Sequence, residues 1–178
     1  GMQRRTLLVA GAGLLAAPAV HAQAREIVLG LTMVKSGPLK TPGEATETSV
    51  DIAVAEVNAA GGINGRRIRL EKFDTGSDPR QAATAAQKFA RDDNALAIIG
   101  PFSSGEAAVD FPVGERLGIV QIPNSATQPN LTGNNTYAWR LTEDEGKQFG
   151  RLLTSLGRNR IPTSRAEIIY VSDERISN

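Results

Sequence analysis

Ala95-Leu96-Ala97-Ile98-Ile99-Gly100-Pro101-Phe102-Ser103-Ser104-Gly105 decides the fold of this chain. A five-residue apolar run is the length of a buried strand, and Gly-Pro stops it abruptly. The break delivers two serines and a glycine to the start of a helical pattern. A second run repeats the arrangement: Ile119-Val120-Gln121-Ile122 stops at Pro123 and leads into Asn124-Ser125-Ala126-Thr127-Gln128-Pro129. In an open parallel sheet, ligands bind just outside the carboxyl ends of the strands. Two strands that end in hydroxyls and free backbone amides therefore outline a pocket for a small polar or anionic group. Such an outline fits binding rather than catalysis.

The segments on either side carry the same alternation. Glu26 to Val34 is a near-continuous apolar run, as expected of a parallel strand buried on both faces. Val50, Ala53, Val54 and Val57 follow at helical spacing and predict one apolar face, with Asn58-Ala59-Ala60-Gly61-Gly62 as the stop. Asn64-Gly65 is a tight turn, and Arg66 to Phe73 alternates polar with apolar residues, the pattern of a strand at or near an edge. Asp78-Pro79 opens the next helix with a cap and a first-position proline. Its buried stripe is Ala82, Ala85, Ala86, Phe89 and Ala90. The helix after the serine elbow carries Ala107, Ala108, Phe111 and Leu117, and Pro112 within it should kink it or divide it into short pieces. Tyr137 to Leu141 is short and extended. Glu143 to Leu156 is helical, with Phe149, Leu152, Leu153 and Leu156 on one face. A polar linker at 158–164 then leads to a last apolar run, Ala166 to Val171. The sum is α/β, a doubly wound parallel sheet with right-handed crossovers.

Composition excludes several chemistries. The 178 residues contain no cysteine, so disulfides, zinc–thiolate sites and cysteine nucleophiles are absent. The one histidine, His21, lies in the first two dozen residues, where Met2-Gln3-Arg4-Arg5 precedes an apolar stretch and two small-x-small triplets, Val20-His21-Ala22 and Ala22-Gln23-Ala24. These read as a secretory signal cleaved near Ala22 or Ala24, with Gly1 as an expression scar and Arg4-Arg5 compatible with twin-arginine export. Without His21 the chain lacks the commonest general base and metal ligand. The formal net charge is +1, and removal of Arg4 and Arg5 leaves 18 basic against 19 acidic residues, or −1. No basic stripe interleaved with aromatics appears, so nucleic acid is not an expected partner.

The ordered set Ser36-Gly37-Pro38, Asn58 to Gly65, Ser77-Asp78-Pro79, Ile99 to Gly105 and Ser125 to Thr132 resembles the first lobe of type I periplasmic solute-binding proteins of the branched-chain amino-acid (Leu/Ile/Val) ABC-transporter class. The resemblance implies two α/β lobes that close on a solute, with this chain supplying residues 25–157 as the first lobe and 158–178 as a linker and the opening strand of a truncated second. It implies that the Ser104 hydroxyl and amide take the ligand carboxylate. It also implies that the Ser125 carbonyl accepts from the ligand ammonium and that Thr127 contacts both groups, with Ser103 and Ala126 completing the expected ligand-binding set. Pro42 departs from the pattern, since leucine-type binders tend to carry an aromatic there. The expected ligand is accordingly an amino acid or a related small carboxylate or amide.

The resemblance further implies a periplasmic receptor with no cofactor and no enzymatic activity, whose partners are the small-molecule ligand and an ABC permease in the inner membrane. The same fold would also serve as the ligand-sensing domain of a receptor or regulator. A nucleotide-using enzyme is disfavoured, because Met33-Val34-Lys35-Ser36-Gly37-Pro38 lacks the G-x-G-x-x-G spacing after the first strand. From residue type alone, Ser103, Ser104 and Thr127 also fit simple caps and turn formers. Asp74 reads as a turn acid, and Glu143-Asp144-Glu145 as the ordinary acidic start of a helix.

Overall fold

The computed structural model describes residues 25–165 and Glu167. The expected signal at 1–24 and nearly all of the expected strand at 166–171 lie outside the described residues. The elements run β1 (Ile27–Met33), α1 (Lys40–Ala59), β2 (Ile68–Asp74), α2 (Pro79–Arg91), β3 (Ala97–Ile99), α3 (Ser104–Leu117), β4 (Val120–Ile122) and α4 (Glu145–Arg158). The strands form one sheet in the order β2-β1-β3-β4. All three pairings are parallel, with Ile27 beside Ile68, Leu29 beside Ala97 and Ala97 beside Val120. The order reverses between β1 and β3, which makes their carboxyl ends the topological switch point of the sheet.

Alternation along β3 shows why helices flank both faces. Ile98 joins Ala85, Ala86, Phe89, Val113 and Ile119 in a core under α2 and α3, while its neighbour Ile99 faces the opposite side, towards α1. Phe89 lies flat on the sheet because Gly30 on β1 leaves room: a Cβ at Gly30 would stand 2.5 Å from the ring. The α2 start is as expected, with the Asp78 side chain accepting from the Arg80 N–H at 2.9 Å and Pro79 in the first position. β2 is an edge strand, also as expected.

One expectation needs correction. Pro112 does not divide α3 into short pieces, and the helix runs unbroken from Ser104 to Leu117. Pro112 and Ala108 both face solvent, so the carbonyl freed by the missing N–H meets water. Capping at both ends compensates, with Ser103 and Glu106 closing a capping box and Gly118 in the left-handed region. The exposure of Ala108 also removes it from the expected stripe. In α1, Gly43 alone is buried. Val50, Ala53, Val54 and Val57 share one face, but that face lines an open hollow of about 600 Å³ with Ile99 and Ile122 on the floor. α1 is tied down at its ends instead. Gly43 rests on Val34, where a Cβ would come within 2.5 Å of the carbonyl, and the Asn58 side chain bonds both the N–H and the C=O of Ile68.

The face of α3 that meets β4 is polar, which its apolar stripe did not foretell. Asp110 is fully buried, and its Oδ2 accepts from Gln121 Nε2 on β4. Asp110 Oδ1 and Gln121 Oε1 are both buried without a hydrogen-bond partner. Burial, reinforced by the charge of Glu106 one turn earlier and opposed by the bond from Gln121, pushes the Asp110 carboxyl up to about 8.

Two outcomes follow for stability. The folded state holds the Asp110 proton more tightly than the unfolded chain, whose value is near the ordinary 3.8. The Asp110 contribution is therefore complete below that value and is lost as pH rises through about 8. Urea melts between pH 5 and 9 should show stability falling across this window, and Asp110→Asn should flatten the fall; parallel profiles for the two proteins would refute the assignment. Gly30→Ala should cost about 1–3 kcal/mol through overpacking against Phe89, read as a lower melting midpoint.

Candidate functional site

The two elbows meet at the carboxyl end of the sheet. Gly100 N–H donates to the Ile122 carbonyl at 2.7 Å, and Asn124 N–H donates to the Pro101 carbonyl at 3.1 Å. β3 and β4 are thereby held together up to the residue where each turns away. Gly100 has φ +126°, and a Cβ there would lie 1.8 Å from Thr32 Oγ1 at the end of β1. No side chain fits between β1 and β3 at the switch point.

Below this surface lies a buried acid. Glu106 has no solvent exposure, and its carboxylate accepts from the Ser103 N–H at 3.1 Å, the Ser103 hydroxyl at 2.9 Å and the Thr75 hydroxyl. Thr75 follows β2 and is also 3.1 Å from the Met33 carbonyl of β1. One carboxylate thus ties together the ends of β1 and β2 and the start of α3. The pairing Ser103-x-x-Glu106 is a capping-box signature legible in the sequence, and it was the available signal for this missed residue.

The five expected site residues divide into three groups. Ser103 is the N-cap of α3, its hydroxyl accepting from the Glu106 N–H at 3.2 Å and donating to the Glu106 carboxylate; this is the work of a cap. Ala126 is fully buried and packs with Ala107, Phe111 and Ala138, which makes its side chain part of the core. Ser104, Ser125 and Thr127 remain at the elbows. Ser104 is the first residue of α3 and is buried, and its Oγ accepts from the Gln128 N–H at 3.2 Å. That bond sets the second elbow directly against the helix start. Ser125 and Thr127 are half-buried on the same loop. The Thr127 hydroxyl is 3.3 Å from Glu145 Oε2, and its carbonyl accepts from the Glu145 N–H at 3.0 Å.

Residue type gave no sign of two further groups. Arg140 follows the extended stretch that pairs with Gln121 through the Tyr137 carbonyl and the Trp139 N–H; its guanidinium reaches the Ala126 and Gln128 carbonyls. Glu145 opens α4 behind the N-cap Asp144, whose side chain accepts from the Lys147 N–H at 3.0 Å. The acidic start of α4 is thus ordinary in its capping, as expected, and adds the contact to Thr127. Asp74 is a turn acid as expected, accepting from the Lys35 and Gly76 amides. Among the described residues, no group of three or more His, Cys, Asp or Glu could hold a metal ion. What the arrangement offers a guest is hydroxyls and main-chain amides at a helix N-terminus, a setting suited to a small polar or anionic group.

Residues 26–165 match the periplasmic binding protein family. The chain belongs to that family. It is 35% identical over 129 residues to the Leu/Ile/Val-binding protein homolog 1 of Brucella abortus, covering 72% of this chain and 34% of that protein. With the Escherichia coli Leu/Ile/Val-binding protein it shares 34% identity over 111 residues, 62% of this chain and 30% of that one. Among solved structures, the branched-chain amino-acid transporter substrate-binding protein LivJ from Streptococcus pneumoniae, in complex with isoleucine, superposes with a TM-score of 0.65 at 32% identity, covering 67% of this chain and 34% of that one. The fold expected from the resemblance is the fold observed, and the chain spans about a third of the length of these relatives.

Ser104→Ala removes the acceptor of the Gln128 N–H at a buried position and should cost about 1–3 kcal/mol. Thr127→Ala, at a half-buried position, should cost less than half as much. Thermal melts of the two variants check the order; a Ser104→Ala protein as stable as the parent would show that the two elbows are not joined through this hydroxyl.

Proposed function

We propose that this chain forms the first lobe of a periplasmic receptor for an ABC importer, capturing an amino acid or a related small carboxylate or amide between two lobes. The observation that carries this reading is the bond from Gln128 N–H to Ser104 Oγ, which sets both polar elbows side by side at the switch point of a binding-protein sheet. Ser104 and Thr127 are the ligand contacts, Ser125 contributes its carbonyl, and Ser103 and Ala126 support them from beneath. The ligand carboxylate sits over the start of α3, where the amides and dipole favour negative charge. The isoleucine complex of the pneumococcal relative supports a branched-chain or similar amino acid as the first candidate.

In this reading the boundary between the lobes precedes α4 rather than following it. None of the α4 residues is buried, and Phe149, Leu152 and Leu153 are 50–64% exposed. An amphipathic helix in that state presents its apolar face to a further layer, and the relatives' greater length supports a second lobe to supply one. The N-terminal signal directs export, and an inner-membrane permease takes the cargo from the closed receptor.

A thermal-shift panel of amino acids, amides, urea-like compounds and aromatic acids on the full-length protein tests the reading. A ligand present at a hundred times its Kd adds about 2.7 kcal/mol to stability, enough to raise Tm by several degrees. Ser104→Ala and Thr127→Ala should each weaken the best ligand roughly tenfold, the effect of one hydrogen bond to a charged group. No shift with any compound would sink the receptor reading.

A further inference from the structure

We propose that Arg140 is a positioning residue of the ligand loop, its guanidinium holding the backbone around Thr127 in register with Ser104. The loop from Pro123 to Asn130 contains no helix or strand. Its conformation must come from tertiary bonds, because each residue left free recovers about 1–2 kcal/mol of backbone entropy. Arg140 supplies them. Its side chain is only 9% exposed, and Nη1 donates to the Gln128 carbonyl at 2.8 Å and, at 3.4 Å, towards the Ala126 carbonyl. Those carbonyls flank Thr127 on both sides.

Gln128 is consequently gripped at both ends of its own backbone, the N–H by Ser104 Oγ and the C=O by Arg140. Moving the guanidinium moves the residue that joins the second elbow to Ser104. The Asp144 carboxylate, 3.9 Å from Nη2 and itself the cap of α4, balances the cation. These contacts turn the guanidinium to main-chain carbonyls and a cap, so it acts on a guest through the loop. Lysine cannot substitute. Nη1 serves both carbonyls while Nη2 of the same rigid plane faces Asp144, a fixed set of directions that a single flexible ammonium does not reproduce. The guanidinium also reaches from the last extended residues before α4 back to the elbow, so the conformation of the loop is set by the segment that leads out of the sheet.

The effect of Arg140 on the loop does not depend on the receptor reading; its effect on affinity rests on it. The test is amide hydrogen exchange on the ligand-free full-length protein and its Arg140→Lys and Arg140→Gln variants, with binding of L-isoleucine as a second arm. Exchange at the Gln128 amide should rise at least tenfold in both variants, while β1 and β3 keep their protection. L-Isoleucine affinity should fall about tenfold in Arg140→Lys. Combined with Thr127→Ala, Arg140→Lys should cost little more than Thr127→Ala alone, because the arginine acts through that residue. Unchanged exchange at Gln128, or a rise spread equally over β1 and β3, would overturn the proposal, the latter by making Arg140 a general stabiliser. Multiplicative losses in the double variant would overturn it as well. If the parent protein fails to bind L-isoleucine while exchange behaves as stated, the choice of cargo fails and the positioning role stands.

Discussion

A carboxylate with no contact with water organises the carboxyl end of this sheet. A buried carboxylate left without donors costs several kcal/mol. Ser103 and Thr75 satisfy it, and in doing so they lock the ends of three neighbouring elements. The start of α3 is fixed by that lock, and with it the position of Ser104, the next residue along. The second elbow then takes its place from Ser104 through Gln128. The order of dependence runs outward from the acid: cap, helix start, serine, loop.

One turn further along α3, a second buried acid behaves differently. Asp110 has a single bond from Gln121 and one oxygen without a partner, and it stands in the field of Glu106. Two carboxyls on one helix face, four residues apart, thus have different donor sets: three hydrogen bonds reach Glu106 and one reaches Asp110.

Much of this was legible in the residues, and what was not has a physical reason. The alternating runs and breaks specified the parallel sheet, because a strand buried on both faces has little freedom of composition. Asp78-Pro79 and Asn58 to Gly62 announced helix ends through local chemistry that needs no tertiary context. Pro112 misled because its cost depends on whether the freed carbonyl finds water, and only the fold shows that this face of α3 is outside. The valine stripe of α1 lies on one face as expected, but helical spacing reports that a face is apolar and not what lies against it. Arg140 was invisible for a different reason. Its partners are carbonyls, which every residue carries, so no pattern of side chains marks it.

The remaining feature with a wider consequence is the grip of Asn58 on Ile68. β2 is the outer strand, and its free N–H and C=O groups are a template on which another chain could build. A single amide side chain occupies both groups of Ile68, standing in for a neighbouring strand at the point where pairing would begin. The outward groups of that residue are thereby closed to a further strand, and α1 is anchored by the same atoms.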